Sequence, residues 1–338
     1  MTKRNDDVSA PSTPADVLNV GEAIGLSMIV ATALETGLLE RLFAKADTAD
    51  EHARALGLHP RSTRLALDTL VAAGYATKEG EQYRMSRAVT EVIARSPGGP
   101  VMLFGMWRHA PMFLKWGEPY LKMDRGPRDR ESAYKGIASA LGRMFEPAAR
   151  AVAAQVAPKI DAEGKAHRVL DVGCGSGIWS LAVAQHIAVA ELTGLDFPAV
   201  LEAFEEQASG LGFGDRISTI PGDMHAAKIP GRAFDLAVIA NVLRLEPKDR
   251  AAALVRRVAD GVADGGALLI VDALAAGTRG KEISRTLYAF HLAMRTVEGT
   301  VHAPDEVRRW LLDAGFSKIE QIDVEASAAG HGALLARR

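Results

Sequence analysis

The sequence has 338 residues and a formal net charge of −2, since 40 Lys and Arg stand against 42 Asp and Glu. This balance argues against a protein that binds nucleic acid, and a hydrophobic content of 48% excludes a disordered chain. No apolar run is long enough to predict a membrane-spanning helix, and residues 1–16, which lack an apolar core, predict no secretory leader. The single cysteine, Cys174, excludes an internal disulfide, and we expect a cytoplasmic protein.

The N-terminal part predicts a flexible tail over residues 1–15 and a winged-helix-like domain over 16–98. In this domain Thr48 and Glu51 have the spacing of a helix capping box, and the later helices lead to two short extended pieces around Glu79. Between Pro60 and Arg95, six Arg or Lys oppose four acids, too small a surplus for phosphate-driven DNA binding. We therefore expect this domain to dimerise the protein.

Residues 99–160 are predicted to form a helical linker after the glycine- and proline-rich boundary at Ser96. The linker carries several aromatic residues, and Trp107 is followed closely by His109. Binding pockets are often lined by aromatic side chains near domain junctions. We expect the linker to contribute to a pocket for a small-molecule acceptor.

Residues 161–338 alternate short apolar runs with helical segments, which predicts a mostly parallel sheet with helices on both faces. The predicted strands are HRVLDVG, ELTGLDF, ISTIPGD, FDLAVIANVL and GALLIVDAL, and the run WSLAVAQHIAV predicts a helix. Ligands bind such sheets beyond the carboxyl ends of the strands. We therefore expect the functional residues at these ends.

The first of these strands ends in a glycine-rich loop, Asp171 to Gly177. Its glycines, Gly173, Gly175 and Gly177, let the backbone approach a ligand closely. The loop lacks the G-x-G-x-x-G spacing of a dinucleotide fingerprint. With an acid at the strand end, it favours a cofactor with a cationic or neutral head group.

Two further acids follow the next two strands. Asp196 is placed to accept hydrogen bonds from ribose hydroxyls. Asp223 is placed to accept from an adenine amino group, and Met224 to pack on the ring. Three acids at three successive strand ends predict one shared cofactor site.

The motifs DVGCGSG, LDFPAV, PGDMH and ANVLR, in this order, resemble those of S-adenosylmethionine-dependent methyltransferases. The resemblance is greatest to small-molecule O-methyltransferases with an N-terminal winged-helix dimerisation domain. It implies a homodimer, a Rossmann-like domain with a seven-stranded sheet, and S-adenosylmethionine as the cofactor, with S-adenosylhomocysteine as the product. The cofactor-binding residues that it implies are Asp171, Gly173, Gly175, Asp196, Phe197, Asp223, Met224 and Asn241.

The sequence departs from this family where the family has its general base, a histidine directly after the fourth strand. Here the segment is Asn241-Val242-Leu243-Arg244, and arginine cannot accept a proton from a hydroxyl because it stays protonated in proteins. The family holds that histidine with two acids. Asp272 matches one of them, and the other falls near Val301 and is missing.

Three hypotheses follow, and we favour the first. In it, a small, carboxylate-bearing acceptor is methylated at sulfur, nitrogen or carbon without a base, as for 4-methylthio-2-hydroxybutyrate, and Arg244 clamps the carboxylate. In the second, a displaced base such as His291 or His109, oriented by Asp272, serves O-methylation of a phenolic or polyketide-type metabolite. In the third, the protein is a non-methylating enzyme or a winged-helix regulator that binds the cofactor.

The predicted catalytic residues are Arg244, His291 and Asp272, with His302 as a further candidate base, and no metal site is expected. The residues predicted to contact the acceptor are Arg244, Trp107, His109 and Tyr288. The expected partners are this acceptor and a second copy of the chain.

Overall fold

The computed structural model of the protein describes residues 14–94, 138–160, 166–274, 292, 296, 298–324 and 331–338. These residues fall into two compact units, of which the first comprises 14–94 and the second comprises the others. Trp107, His109, Tyr288 and His291, which were predicted to act on the acceptor, lie outside the described residues.

The first unit has the helix, turn, helix and hairpin order that the sequence predicts. Its described elements are α1 (Pro14–Glu35), α2 (Leu38–Ala44), β1 (Asp47–Thr48), α3 (Ala49–Leu56), α4 (Pro60–Ala72), β2 (Ala76–Glu79), β3 (Gln82–Met85) and α5 (Arg87–Ala94). The capping box is confirmed, since the Thr48 side chain accepts from the Glu51 N–H and the Glu51 carboxylate accepts from the Thr48 N–H. The core contains the fully buried Leu39, Leu67 and Tyr83.

Helices α1 and α2 meet at Gly37, which has a φ of 75°. Among the described residues, no single helix is long and apolar enough to cross a membrane. The pair 23–35 and 38–44, bent by 74°, passes that test by length and composition alone. Several of its apolar side chains, such as Leu34 and Leu39, are buried in the core of the first unit.

The second unit contains a seven-stranded sheet and confirms the predicted α/β fold class. Its elements are α6 (Ala138–Ile160), β4 (His167–Val172), α7 (Ile178–Ala184), β5 (Val189–Asp196), α8 (Pro198–Gly210), β6 (Ile217–Pro221), β7 (Phe234–Ala240), α9 (Lys248–Gly261), β8 (Val262–Asp272), α10 (Pro304–Asp313), β9 (Lys318–Asp323) and β10 (Gly332–Arg337). The strand order is β6-β5-β4-β7-β8-β10-β9. The first five strands run parallel, and β10 is antiparallel to both of its neighbours.

One helix is shorter than the sequence predicts. The run WSLAVAQHIAV was expected to be helical throughout, but α7 ends at Ala184 and Val189 begins β5. The difference arises because β5 pairs with β4 from Val189 onward, and a short apolar run does not distinguish a buried helix from a buried strand.

Apolar side chains cover both faces of the sheet, as expected for parallel strands with helices on either side. Val169 of β4 packs in one cluster with side chains of α6, α7 and α8. Its neighbours Leu170 and Val172 pack on the opposite face with α9 and α10. Helix α6, which the sequence boundary assigned to the linker, thus packs in the core of the second unit.

The strand order places a topological switch point between β4 and β7. From β4 the chain adds β5 and β6 on one side and β7 and β8 on the other, so the order reverses between β4 and β7. Ligands bind at such a switch point, beyond the carboxyl ends of the strands. Because β10 is antiparallel to β8, with Gly332 opposite Asp272, the start of β10 also reaches this edge.

Candidate active site

The glycine-rich loop leaves β4 at the switch point and leads into α7. Gly173, Gly175 and Gly177 have φ values of 66°, 56° and 71°, in the left-handed region that glycine adopts without strain. A Cβ atom on Gly173 would lie 2.5 Å from Val242 Cγ2, and one on Gly177 would lie 2.5 Å from Phe204 Cδ2. Because glycine has no Cβ atom, these two glycines allow the loop to pack closely against Val242 and Phe204.

Gly175 differs from the other two glycines of the loop. A Cβ atom there would meet nothing within 4 Å, so the space beside this part of the backbone is open. A polar cofactor that approaches the backbone closely fits this side of the loop. The residues present therefore fit the cofactor site that the resemblance implies.

Asp196, at the end of β5, is joined to the glycine loop. Its Oδ2 accepts a hydrogen bond from the Gly175 N–H at 2.8 Å, and its Oδ1 accepts from the Phe197 N–H at 2.8 Å. These two bonds hold the carboxylate beside the loop, where the sequence predicts that it accepts from ribose hydroxyls. Asp196 thus fixes the loop and offers acceptors at the same edge.

Asp223 and Met224 follow β6. Asp223 is exposed and its Oδ1 accepts from the His225 N–H at 2.8 Å, while Met224 is half-buried against the core. The Arg257 side chain donates to the Met224 carbonyl at 3.2 Å and to the Ala227 carbonyl. These bonds hold the segment where the sequence predicts contact with adenine.

Asp171 lies beneath the loop. It is 2% exposed, and its carboxylate accepts a hydrogen bond from the Ser180 hydroxyl in the first turn of α7. Burial, together with the nearby charge of Asp196, raises the pKa of Asp171 to about 7. In this structure Asp171 ties the strand end to α7, and direct contact with the cofactor stays a prediction.

We expect the Asp171→Asn variant to lose part of the pH dependence of stability. Because the folded protein binds this proton more tightly than the unfolded chain, the free energy of unfolding falls as pH rises from the ordinary aspartate range to about 7. An amide has no such titration, so the melting temperature of the variant should fall less over this range. Thermal unfolding at a series of pH values measures this, with the exposed Asp215→Asn as the matched control. Equal slopes in both variants would contradict the assignment.

Arg244 lies just after β7 in a short 3-10 turn and is 6% exposed. Its backbone N–H donates to Asp272 Oδ2 at 3.2 Å, and its Nη1 lies 3.6 Å from Asp272 Oδ1. Asp272 is 3% exposed at the end of β8, where its Oδ1 also accepts from the Ala273 N–H at 2.8 Å. Arg244 and Asp272 thus form a buried ion pair. They are the two predicted catalytic residues that lie in the described part of the chain.

His331 joins this pair from a distant part of the sequence. It precedes β10, it is 3% exposed, and its Nε2 lies 2.9 Å from Arg244 Nη1 and 2.7 Å from Asn241 Oδ1. Its ring packs edge-on against Phe145, at 5.1 Å between centroids, and is stacked with Trp179 at 6.5 Å. Burial and the charge of Arg244 hold the pKa of His331 well below the usual range, so its imidazole is neutral.

Asn241, His331, Arg244 and Asp272 form one polar cluster, which we call the edge cluster. Asn241 has a φ of 62°, a conformation that asparagine tolerates better than most residues. Sequence reasoning missed His331 because nothing in its local sequence signals the contact. His302, a candidate base, instead contacts the Leu243 carbonyl through Nε2 at 2.9 Å.

Comparisons with known proteins identify a family and relatives that this chain resembles over most of its length. A family model described as the O-methyltransferase domain matches residues 145–317. The chain is 28% identical, over 90% of its length and 92% of the relative's, to the tetracenomycin polyketide synthesis 8-O-methyl transferase TcmO of Streptomyces glaucescens. It is 24% identical, over 91% of both chains, to a 3-hydroxy-5-methyl-1-naphthoate 3-O-methyltransferase of Streptomyces sahachiroi.

A solved structure has the same fold. The crystal structure of human N-acetylserotonin methyltransferase in complex with S-adenosylmethionine superposes with a TM-score of 0.74. The match covers 98% of this chain and 99% of the human one at 20% sequence identity.

Proposed function

The chain belongs to the O-methyltransferase domain family, and we propose that it methylates a hydroxyl oxygen of an aromatic, polyketide-type metabolite. It is an S-adenosylmethionine-dependent methyltransferase that acts on a small molecule. The observation that carries the finer proposal is the match over most of the chain to TcmO, a relative named for polyketide O-methylation. The naphthoate relative, also named for methylation of a hydroxyl group, supports it.

The favoured hypothesis from the sequence, methylation of a thioether acid, gains no support from these relatives. The alternative hypothesis, a phenolic or polyketide-type hydroxyl, agrees with them. The third hypothesis, a regulator or a non-methylating enzyme, does not fit the family to which the chain belongs.

The described residues supply binding and orientation. When bound, S-adenosylmethionine supplies an electrophilic methyl group on a positively charged sulfur. We propose that the backbone at Gly175 and the carboxylates of Asp196 and Asp223 hold it along the switch point. Alignment of two bound reactants can contribute about 7–11 kcal/mol to lowering a barrier.

Cofactor with an isotope-labelled methyl group tests the proposal. The protein is incubated with hydroxynaphthoates, hydroxyquinones, amines and thioether acids, and the products are analysed by mass spectrometry. We expect the label in an aryl methyl ether. Label only in a sulfonium or amine product, or in none of these compounds, would overturn the proposal.

We further propose that a second copy of the chain covers the exposed side of α1. Ile24 and Met28 lie four residues apart, hence on one face of the helix, and each is 50% exposed. Large apolar side chains exposed together often mark an interaction site.

We expect the double variant Ile24→Asp, Met28→Asp to shift the protein from dimer to monomer, because it would place two charges in the buried part of an interface. Light scattering after size-exclusion chromatography measures the mass. Leu312→Asp is the matched control, since Leu312 is 51% exposed on α10 in the other unit. A double variant with the mass of the unsubstituted protein would contradict this interface.

A further inference from the structure

O-methylation requires the acceptor hydroxyl to lose its proton, yet the edge cluster contains a cation, Arg244, at the position where the resemblance predicts a general base. The guanidinium of Arg244 cannot accept that proton. His331 is neutral, and its Nε2 contacts the guanidinium at 2.9 Å. A proton placed on this imidazole would lie beside a fixed positive charge, so His331 is poorly suited to be the general base.

The same geometry suits an anion. Arg244 is held from two sides, by Asp272 of β8 at 3.6 Å and by His331, which directly precedes β10. These are the titratable groups that contact it in the described part of the chain. A buried, fixed guanidinium stabilises negative charge on a nearby oxygen more strongly than a solvated one does.

The edge cluster lies next to the cofactor edge. Val242, between Asn241 and Arg244, is the side chain that a Cβ atom on Gly173 would meet at 2.5 Å. Trp179, in the first turn after the glycine loop, stacks with His331 at 6.5 Å. The edge cluster is thus connected, through Val242 and through Trp179, to the loop that we propose binds the cofactor.

We propose that Arg244 replaces the general base by stabilising the ionised hydroxyl of the acceptor, and that the acceptors are aromatic or quinonoid hydroxyls acidic enough to lose their proton to solvent. This inference rests on the proposed function. The anionic oxygen forms the new O–C bond with its lone pair as the C–S bond of the donor breaks, and the bonding electrons stay on sulfur, which becomes a neutral thioether.

His331 is a positioning residue in this proposal. As a neutral imidazole it accepts a hydrogen bond from Arg244 Nη1 through the lone pair of Nε2. Its aromatic neighbours Phe145 and Trp179 fix the ring. These contacts fix the orientation of the guanidinium.

The test is the pH dependence of kcat/KM for three acceptors of decreasing acidity, namely 2-hydroxy-1,4-naphthoquinone, a nitro-substituted naphthol and 2-naphthol. If the enzyme takes an ionised hydroxyl, the acidic limb of each profile follows the pKa of that acceptor and moves from one acceptor to the next. A limb at one pH for all acceptors, lost in His331→Gln, would show that His331 is the base and would overturn the proposal.

Variants separate the two roles. We expect Arg244→Met to lower kcat/KM about 100-fold for the most acidic acceptor, as for removal of one oxyanion donor, with cofactor affinity retained. Arg244→Lys should recover part of this loss, since it restores the charge. His331→Gln keeps a hydrogen-bond acceptor for Arg244, so it should lose less of kcat/KM than His331→Leu. In both variants the acidic limb of the pH profile should still move with the pKa of the acceptor.

Failure of this inference is distinct from failure of the proposed function. Two outcomes would overturn the role of Arg244 while leaving O-methylation in place. In one, methyl ethers form but the acidic limb of the pH profile lies at the same pH for all three acceptors. In the other, Arg244→Met forms them at an unchanged rate. No methyl ether from any hydroxyl acceptor would overturn both.

Discussion

Gly177→Ala should be strongly destabilising, and Gly175→Ala should instead weaken cofactor binding. At Gly177 a side chain costs about 1–2 kcal/mol in the left-handed conformation. Its Cβ would also lie 2.5 Å from the ring of the fully buried Phe204 and 3.1 Å from Leu181 Cδ1, and overpacking typically costs about 1–3 kcal/mol more. We therefore expect the free energy of unfolding to fall by about 2–5 kcal/mol.

Gly175→Ala is the matched comparison, since its φ of 56° is similar but a Cβ atom there meets open space. Only the backbone cost of about 1–2 kcal/mol remains. The new methyl group would, however, occupy the side of the loop that we assign to the cofactor. Urea unfolding measures the first effect and calorimetric titration with S-adenosylmethionine the second. An unchanged cofactor Kd in Gly175→Ala would show that the cofactor lies elsewhere.

Much of this edge is predictable because it is local in sequence. A run of apolar residues that ends in Asp171-Val172-Gly173 predicts both a strand and its loop. The positive φ values of Gly173, Gly175 and Gly177 agree with this expectation. The capping box at Thr48 is equally local, since both of its hydrogen bonds join residues three apart.

The contacts that change the interpretation of the site are not local. Arg244 and His331 are 87 residues apart, and they meet because β10 pairs antiparallel with β8 and starts opposite Asp272. Local sequence gives no signal for that pairing. The role of Asp171 was similarly hidden, because its contact with Ser180 depends on how α7 packs back against the strand.

Asp272→Asn should be among the most damaging single substitutions in the second unit. It removes a negative charge from beside the buried guanidinium of Arg244, at 3.6 Å, while it keeps the shape of the side chain. Breaking a buried ion pair by neutralising one partner typically costs about 3–5 kcal/mol, since the other charge stays buried. We expect a loss of this size in urea unfolding.

The double variant Arg244→Met, Asp272→Asn distinguishes a structural pair from a functional one. Replacing both members of a buried pair by uncharged groups is often neutral, so the double variant should be more stable than Asp272→Asn alone. The loss of unfolding free energy in the double variant should be smaller than the sum of the two single losses by about 1–3 kcal/mol, as for coupled neighbours. A sum that is simply additive would contradict the coupling.

Activity should not return with stability in this double variant. If the ion pair served the fold alone, a stable uncharged replacement would methylate a hydroxyl acceptor at close to the original rate. We expect instead that kcat/KM stays at the level of Arg244→Met, because the acceptor oxygen has lost its cation. A buried charge that is dispensable for stability but required for turnover is retained for chemistry, and its desolvation cost is the reason that Asp272 and His331 surround it.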